Sequence, residues 1–178
     1  MRVMTISSKE QKKEDEMKIL EALQRYPKEN IQTIAKHCGF SKQKVYKAIK
    51  QMEKNHTIWG YATVADEQKQ GFQKYVLLIK RSSKMIDNKT LDQLISYQKN
   101  KEIAGLEITV ENSYYVHGEY DWILIFIAKD IKQAKKFSDI LLNQYPGMFS
   151  NVNLIQILMT LQSQHVMNPD HIKLRELL

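Results

Sequence analysis

The stretch NIQTIAKHCGFSKQKVYKAIKQMEKN, Asn30–Asn55, decides the reading of this chain. Asn30 is a strong N-cap, and Ile31, Ile34 and Ala35 repeat at helical spacing, which predicts a short helix over Ile31–Cys38. Gly39 ends it, because glycine takes the left-handed conformation a sharp turn needs. Ser41 then caps a second helix reaching about Asn55, with Val45, Ile49 and Met52 turned inward and Lys42, Lys44, Lys47 and Lys50 largely outward. Ala35 is small where the two helices must approach closely, and Val45 packs the second helix on the first. This is the pattern of a helix-turn-helix.

Upstream, Glu14–Arg25 carries Met17, Ile19, Leu20 and Leu23 and stops before Pro27, so a third helix precedes the pair. In a helix-turn-helix the N-terminal part of the second helix enters the major groove. Ser41, Lys42, Gln43, Lys44, Tyr46, Lys47 and Lys50 are therefore the candidate DNA-contacting residues. Glutamine pairs in bidentate fashion with adenine, and lysine suits guanine or phosphate.

Charge agrees with that reading. The chain has 178 residues and a formal net charge of +7. Residues 1–66 hold 13 basic and 8 acidic side chains (+5), and residues 67–178 hold 14 and 12 (+2). Within 36–54 six lysines face one acid, Glu53. Neutralising phosphates releases counterions, so a concentrated basic segment suits a polyanion.

Composition bounds the remaining possibilities. Apolar residues make up 43% and charged residues 26%, which excludes a wholly disordered chain. The longest apolar run, Trp122–Ala128, is strand-sized and too short for a membrane helix. The first sixteen residues lack the apolar core of a secretory signal, so a cytoplasmic protein is expected. A single cysteine, Cys38, excludes a disulfide framework and a cysteine-rich zinc site. No phosphate-binding glycine loop, nucleophile elbow or zinc-protease motif occurs, so no catalytic residue and no cofactor are expected. His117, Glu119 and Asp121 alternate like ligands, but a turn interrupts them, so no metal is expected.

The C-terminal two-thirds reads β-α-β-β-α-β. Phe72–Lys80 is a strand; Thr90 caps a helix with Leu91, Leu94 and Ile95. Val110–His117 and Tyr120–Ala128 form a hairpin turned tightly at Gly118-Glu119. Asp130 opens a helix with Ile131, Ala134, Phe137, Ile140 and Leu141, and Asn153–Leu161 is the last strand. That order is ferredoxin-like. Residues 101–109 extend either the helix or the second strand. The remainder, 163–178, is a polar tail with a short amphipathic segment at Ile172–Leu178.

Met52 and Glu53 at the end of the second helix, and Ile58, Gly60, Tyr61, Ala62, Val64, Asp66 and Gly71 after it, stand in an order that resembles the Lrp/AsnC family of transcriptional regulators. Gly118-Glu119-Tyr120-Asp121 and Pro146-Gly147-Met148 extend the resemblance over residues 14–162. His56 and Ala65 depart from the pattern.

The resemblance implies an α+β chain: a winged-type helix-turn-helix domain (1–57), a linker strand (58–71) and a ferredoxin-like effector and dimerisation domain (72–162). It implies a sequence-specific regulator of double-stranded DNA, acting as a homodimer that assembles further, up to octamers. It also implies a small effector, typically an amino acid, bound near Gly118, Glu119, Tyr120, Asp121, Gly147 and Met148. Asp121 or Glu119 would take the ammonium group and the glycine turns the carboxylate. Two alternatives stay open: an enzyme resembling the sirohaem decarboxylases, with His117, Lys80 and Arg81 holding carboxylates, and a protein that coats DNA without sequence preference.

Overall fold

A computed structural model describes the backbone of residues 8–95 and 105–178, and side chains over the same ranges except 93–95. The chain divides into two compact units, residues 1–64 with 162–167, and residues 65–161 with 168–178.

The first unit is built on α1 (Ser8–Arg25), α2 (Ile31–Cys38) and α3 (Lys42–Lys54). Local signals set each boundary. The Asn30 side chain accepts the Thr33 N–H, and the Ser41 hydroxyl accepts the Lys44 N–H, so both helices have satisfied first turns. Gly39 stands at φ 68°, ψ 31°. Its N–H donates to the Lys36 carbonyl and the Phe40 N–H to the Ala35 carbonyl, closing α2 with the paired bonds of a left-handed cap. Ile19, Ala22, Ile34, Ala35, Cys38, Val45, Ile49 and Met52 form one buried cluster, with Leu20, Leu23, Ile31, Phe40 and Ile58 packed at its margin.

Two details of α1 differ from expectation. It begins six residues earlier, at Ser8 rather than Glu14. Met17 is exposed, and Ile19 and Ala22 fill the core in its place. Residues 58–67, expected as a strand, have no strand pairing, and Gln68–Gln70 is a turn of 3₁₀ helix.

The second unit has β1 (Gln73–Arg81), α4 (Asn88–Ile95), β2 (Ile108–Tyr115), β3 (Trp122–Ala128), α5 (Ile131–Gln144) and β4 (Phe149–Ile157). All pairings are antiparallel, and the sheet order is β2-β3-β1-β4. This is the expected ferredoxin-like arrangement. Tyr75, Leu77, Ile79, Leu124, Phe126 and Ala128 alternate onto one face and bury against Ala134, Phe137 and Leu141 of α5. The register puts Val76, Leu78, Ile123, Ile125, Ile155 and Ile157 on the opposite face, where they remain half-buried or exposed.

Several boundaries shift for physical reasons. β4 starts at Phe149 and ends at Ile157, because its pairing with β1 runs only from Arg81, opposite Phe149, to Lys74, opposite Ile157. Residues 158–161 therefore leave the strand in spite of their apolar character. Asp87, not Thr90, caps α4: its carboxylate accepts both the Thr90 N–H and the Thr90 hydroxyl. These bonds hold the Asp87 carboxyl below the usual carboxylate range. Leu91 is exposed on α4, and the side chains of Leu94 and Ile95 lie outside the described residues.

Residues 108–109 lengthen β2, and 101–104 lie outside the described residues. The β2–β3 connection is not a two-residue turn but a loop from Val116 to Asp121, closed by the Val116 N–H on the Asp121 carbonyl. Ile131 of α5 faces outward, and Ser138 sits inward. The segment expected as a tail is ordered. β5 (Gln162–Ser163) and β6 (Val166–Met167) form a hairpin turned by Gln164 and His165, both at positive φ, and His171–Glu176 is 3₁₀ helix. No helix among the described residues is long and apolar enough to cross a membrane.

Candidate nucleic-acid interface and effector loops

Val45, Ile49 and Met52 fix one face of α3 in the core, so helical periodicity turns Gln43, Lys47, Lys50 and Lys54 to the opposite face. Ser41, Lys42, Gln43, Lys44, Tyr46, Lys47 and Lys50 are all exposed. The structure therefore brings the candidate DNA-contacting residues together on one turn and helix.

Their engagements differ. The Lys44 ammonium reaches back to α1, 2.6 Å from Asp15 Oδ2, and lies 3.8 Å from the centroid of the Phe40 ring. The hydrogen bond from Lys44 holds the Asp15 carboxyl below its ordinary range against the opposing effect of burial. Lys50 is 2.9 Å from Glu53 Oε2. Among the described residues no carboxylate pairs with Lys42 or Lys47. Ser41 spends its hydroxyl oxygen on the cap, leaving the hydroxyl proton available.

An open groove of about 490 Å³ runs between α1 and α3, lined by Lys12, Glu16, Ser41, Gln43, Lys44, Lys47, Ala48 and Gln51. Lys12 escapes a reading that starts α1 at Glu14, and Glu16, though inside that range, was not singled out. Their i,i+4 spacing is the signal that could have found them, and they pair at 3.8 Å.

The expected effector residues lie on two loops that flank the end of β1. On one side, Asp121 Oδ2 accepts the Arg81 N–H at 2.8 Å, and the Asp121 N–H donates to the Ile79 carbonyl at 2.9 Å. On the other, the Ser82 N–H donates to the Met148 carbonyl and the Ser82 hydroxyl to the Gly147 carbonyl. Gly147 has φ 73°, and the Lys84 ammonium donates to the Pro146 carbonyl. Both loops are thus tied to Ile79–Lys84.

The individual side chains point differently. The Asn153 amide donates to the Tyr120 hydroxyl at 2.7 Å, and Asn153 lies opposite Leu78 on the open sheet face. Met148 is buried, with its N–H on the Tyr145 carbonyl. Gly118 and Glu119 are exposed. Arg81 was not among the expected effector residues; its Nε is buried without a hydrogen-bond partner. Among the described residues no cluster of three or more histidine, cysteine or acidic side chains forms a metal site.

A family model described as winged helix-turn-helix DNA-binding matches residues 16–58, which span α1 to α3. The three helices of the first unit are thus similar to a DNA-binding domain of that class. The chain as a whole has the fold of the Lrp/AsnC transcriptional regulators, as its likeness to solved structures shows. An AsnC family transcriptional regulator from Agrobacterium tumefaciens is 20% identical, with 89% of this chain and 97% of that one covered and a TM-score of 0.64. A transcriptional regulator from Neisseria meningitidis, solved as a complex with L-methionine, is 16% identical over 94% and 99% of the two chains, TM-score 0.64. The leucine response regulatory protein of Mycobacterium tuberculosis is 15% identical over 87% and 97%, TM-score 0.64. Comparison with curated protein sequences gives no match.

Proposed function

We propose that this protein is a DNA-binding transcriptional regulator of the Lrp/AsnC type, acting as a homo-oligomer whose DNA affinity answers to a small effector. The observation that carries the reading is the presentation of Gln43 and Lys47 on the outward face of a capped, well-packed α3 inside a domain of the winged helix-turn-helix class. Neutral hydrogen-bonding and cationic groups on one exposed helix face suit the edges and phosphates of a major groove. Such a protein works beside the chromosome, in the cytoplasm, without chemistry of its own.

The open sheet face supports self-association: aliphatic side chains on β1, β3 and β4 lie half-covered in the single chain, and a second copy would bury them. For the effector, the two loops at the end of β1 offer the acceptor and donor groups an amino acid needs. The Asp121 carboxylate organises the loop through Arg81, which leaves Glu119 as the group for an ammonium. The neisserial relative's complex with L-methionine fits an amino-acid effector.

Fluorescence anisotropy with the duplex upstream of the gene and with a scrambled duplex tests the function. A dimer making on the order of 6–10 phosphate contacts loses roughly 10³–10⁵ in affinity between 50 and 200 mM salt. Preference for the upstream duplex establishes a specific regulator. Equal binding of both duplexes identifies a coating protein. Absence of binding at low salt refutes the DNA reading and directs attention to a chromophore in the visible spectrum.

A further inference from the structure

Lys50 occupies the face of α3 that also carries Gln43, Lys47 and Lys54, yet its ammonium sits 2.9 Å from Glu53 Oε2. Glu53 is the one acid within residues 36–54. Its second oxygen, Oε1, accepts the Tyr61 hydroxyl at 3.1 Å. Both carboxylate oxygens are therefore held, one from within the helix and one from the segment that follows it. The ion pair is mutually reinforcing: the hydrogen bond to Glu53 raises the Lys50 pKa, and the bonds from Lys50 and then Tyr61 lower that of Glu53.

The segment that supplies Tyr61 has no helix or strand and is largely exposed. Ile58 is fastened by its N–H on the Met52 carbonyl and packs at the margin of the core. Beyond it Trp59 is 94% exposed and Tyr61 69% exposed. This segment leads out of the helical unit, which ends at Val64.

A lysine paired with a carboxylate is a neutral unit. Moving its ammonium onto a phosphate exchanges one anion for another and leaves Glu53 facing a polyanion, so no counterion release is gained. The geometry points to Glu53 and Tyr61 as positioning residues that keep Lys50 off the phosphate backbone, with residues 59–64 as the lever that releases it. The assignment rests on the proposal that DNA is bound through α3. It deepens that proposal, because it makes the segment after α3, within the helical unit, a control on the number of phosphate contacts.

The test measures the slope of log K against log salt for one duplex with the full-length wild type, Lys50→Gln, Glu53→Gln, Tyr61→Phe and the double variant Lys50→Gln/Glu53→Gln. Circular dichroism confirms that each is folded. Lys50→Gln leaves Glu53 without its cation and is expected to weaken binding, so the variant that reads Lys50's own contact is the double one, which deletes the neutral pair whole. Glu53→Gln steepens the slope by about 0.9 per bound protomer, which is about 8-fold tighter binding per protomer at 0.1 M salt relative to 1 M. Tyr61→Phe moves affinity in the same direction by a smaller factor, about 2-fold, and the double variant returns to the wild-type slope. A double variant shallower than wild type by about 0.9 overturns the proposal, since Lys50 then already contacts phosphate. A double variant as steep as Glu53→Gln also overturns it, because the gain then comes from removing a repelling charge. Tyr61→Phe identical to wild type removes the lever. A wild-type chain that binds no duplex fails in a distinguishable way, by refuting DNA binding itself.

Discussion

Replacing Lys47 and Lys44 separately by glutamine gives two variants of equal net charge whose DNA binding is expected to differ sharply. Lys47 is exposed on the outward face of α3 and has no carboxylate partner among the described residues. Lys44, one turn earlier, has its ammonium 2.6 Å from Asp15 and over the Phe40 ring. Asp15 is only 17% exposed, so this pair fastens α1 to the start of α3 and engages the Lys44 ammonium.

Each phosphate neutralised contributes about 0.9 to the slope of log K against log salt. Lys47→Gln in a dimer engaging two half-sites should therefore flatten the slope by about 1.8. With an unchanged intercept at 1 M salt, affinity at 0.15 M falls by about 30-fold. Lys44→Gln should leave the slope almost untouched and instead lower the urea midpoint of the helical unit. Salt titrations by fluorescence anisotropy, with unfolding followed at 222 nm, separate the two. Equal flattening by both variants would refute the reasoning, because it would place Lys44 on the phosphates in spite of Asp15.

Other outcomes follow from the same geometry. Gly39→Ala adds a Cβ that meets nothing within 4 Å, so only the left-handed backbone is penalised; the loss is expected near 1 kcal/mol by urea unfolding, less for Gly39→Asn. Ile125→Glu, in the middle of the open sheet face, should convert the proposed oligomer to monomers in multi-angle light scattering without unfolding the chain. Asp121→Ala deprives the Arg81 N–H of its acceptor and should cost about 1–2 kcal/mol, whereas Asp121→Asn retains an acceptor and restores most of it.

Lys74 supplies a pH dependence. Burial pulls its pKa down, but the carboxylates of Glu67 and Glu111 outweigh burial and hold it above the ordinary lysine value. A group raised in the folded state stabilises fully below its unfolded pKa, about 10.4, and loses that contribution as pH rises through the folded value. The urea midpoint of the wild type should therefore fall above that pH, and the fall should be smaller in Lys74→Met.

The helix-turn-helix was legible because its signals are local. Asn30, Gly39 and Ser41 act within one turn on either side, through caps and a left-handed residue, so neighbours in sequence suffice to place α2 and α3. The ferredoxin-like order was legible from alternating apolar runs, and Asp130 was readable as the cap of α5, accepting the Gln133 N–H. Of the two loops, Gly118–Asp121 and Pro146–Met148 could be named from short motifs; that both are tied to the end of β1 could not.

What only the tertiary structure decided are relations between distant residues. The limits of β4 follow from where its pairing with β1 ends, not from where apolar residues stop. Glu111 becomes the extra residue of a bulge between Val110 and Asn112, and it pairs with Lys74 at 3.0 Å; hydrophobic alternation in β2 alone gives no sign of that partner. The hairpin Gln162–Met167 groups with the helical unit from the far end of the chain. Lys44 and Lys47 are the same residue type on one exposed turn, and the sequence assigns both to DNA. Asp15, brought alongside by the packing of α1, separates them, because a charge's availability depends on its neighbours in space.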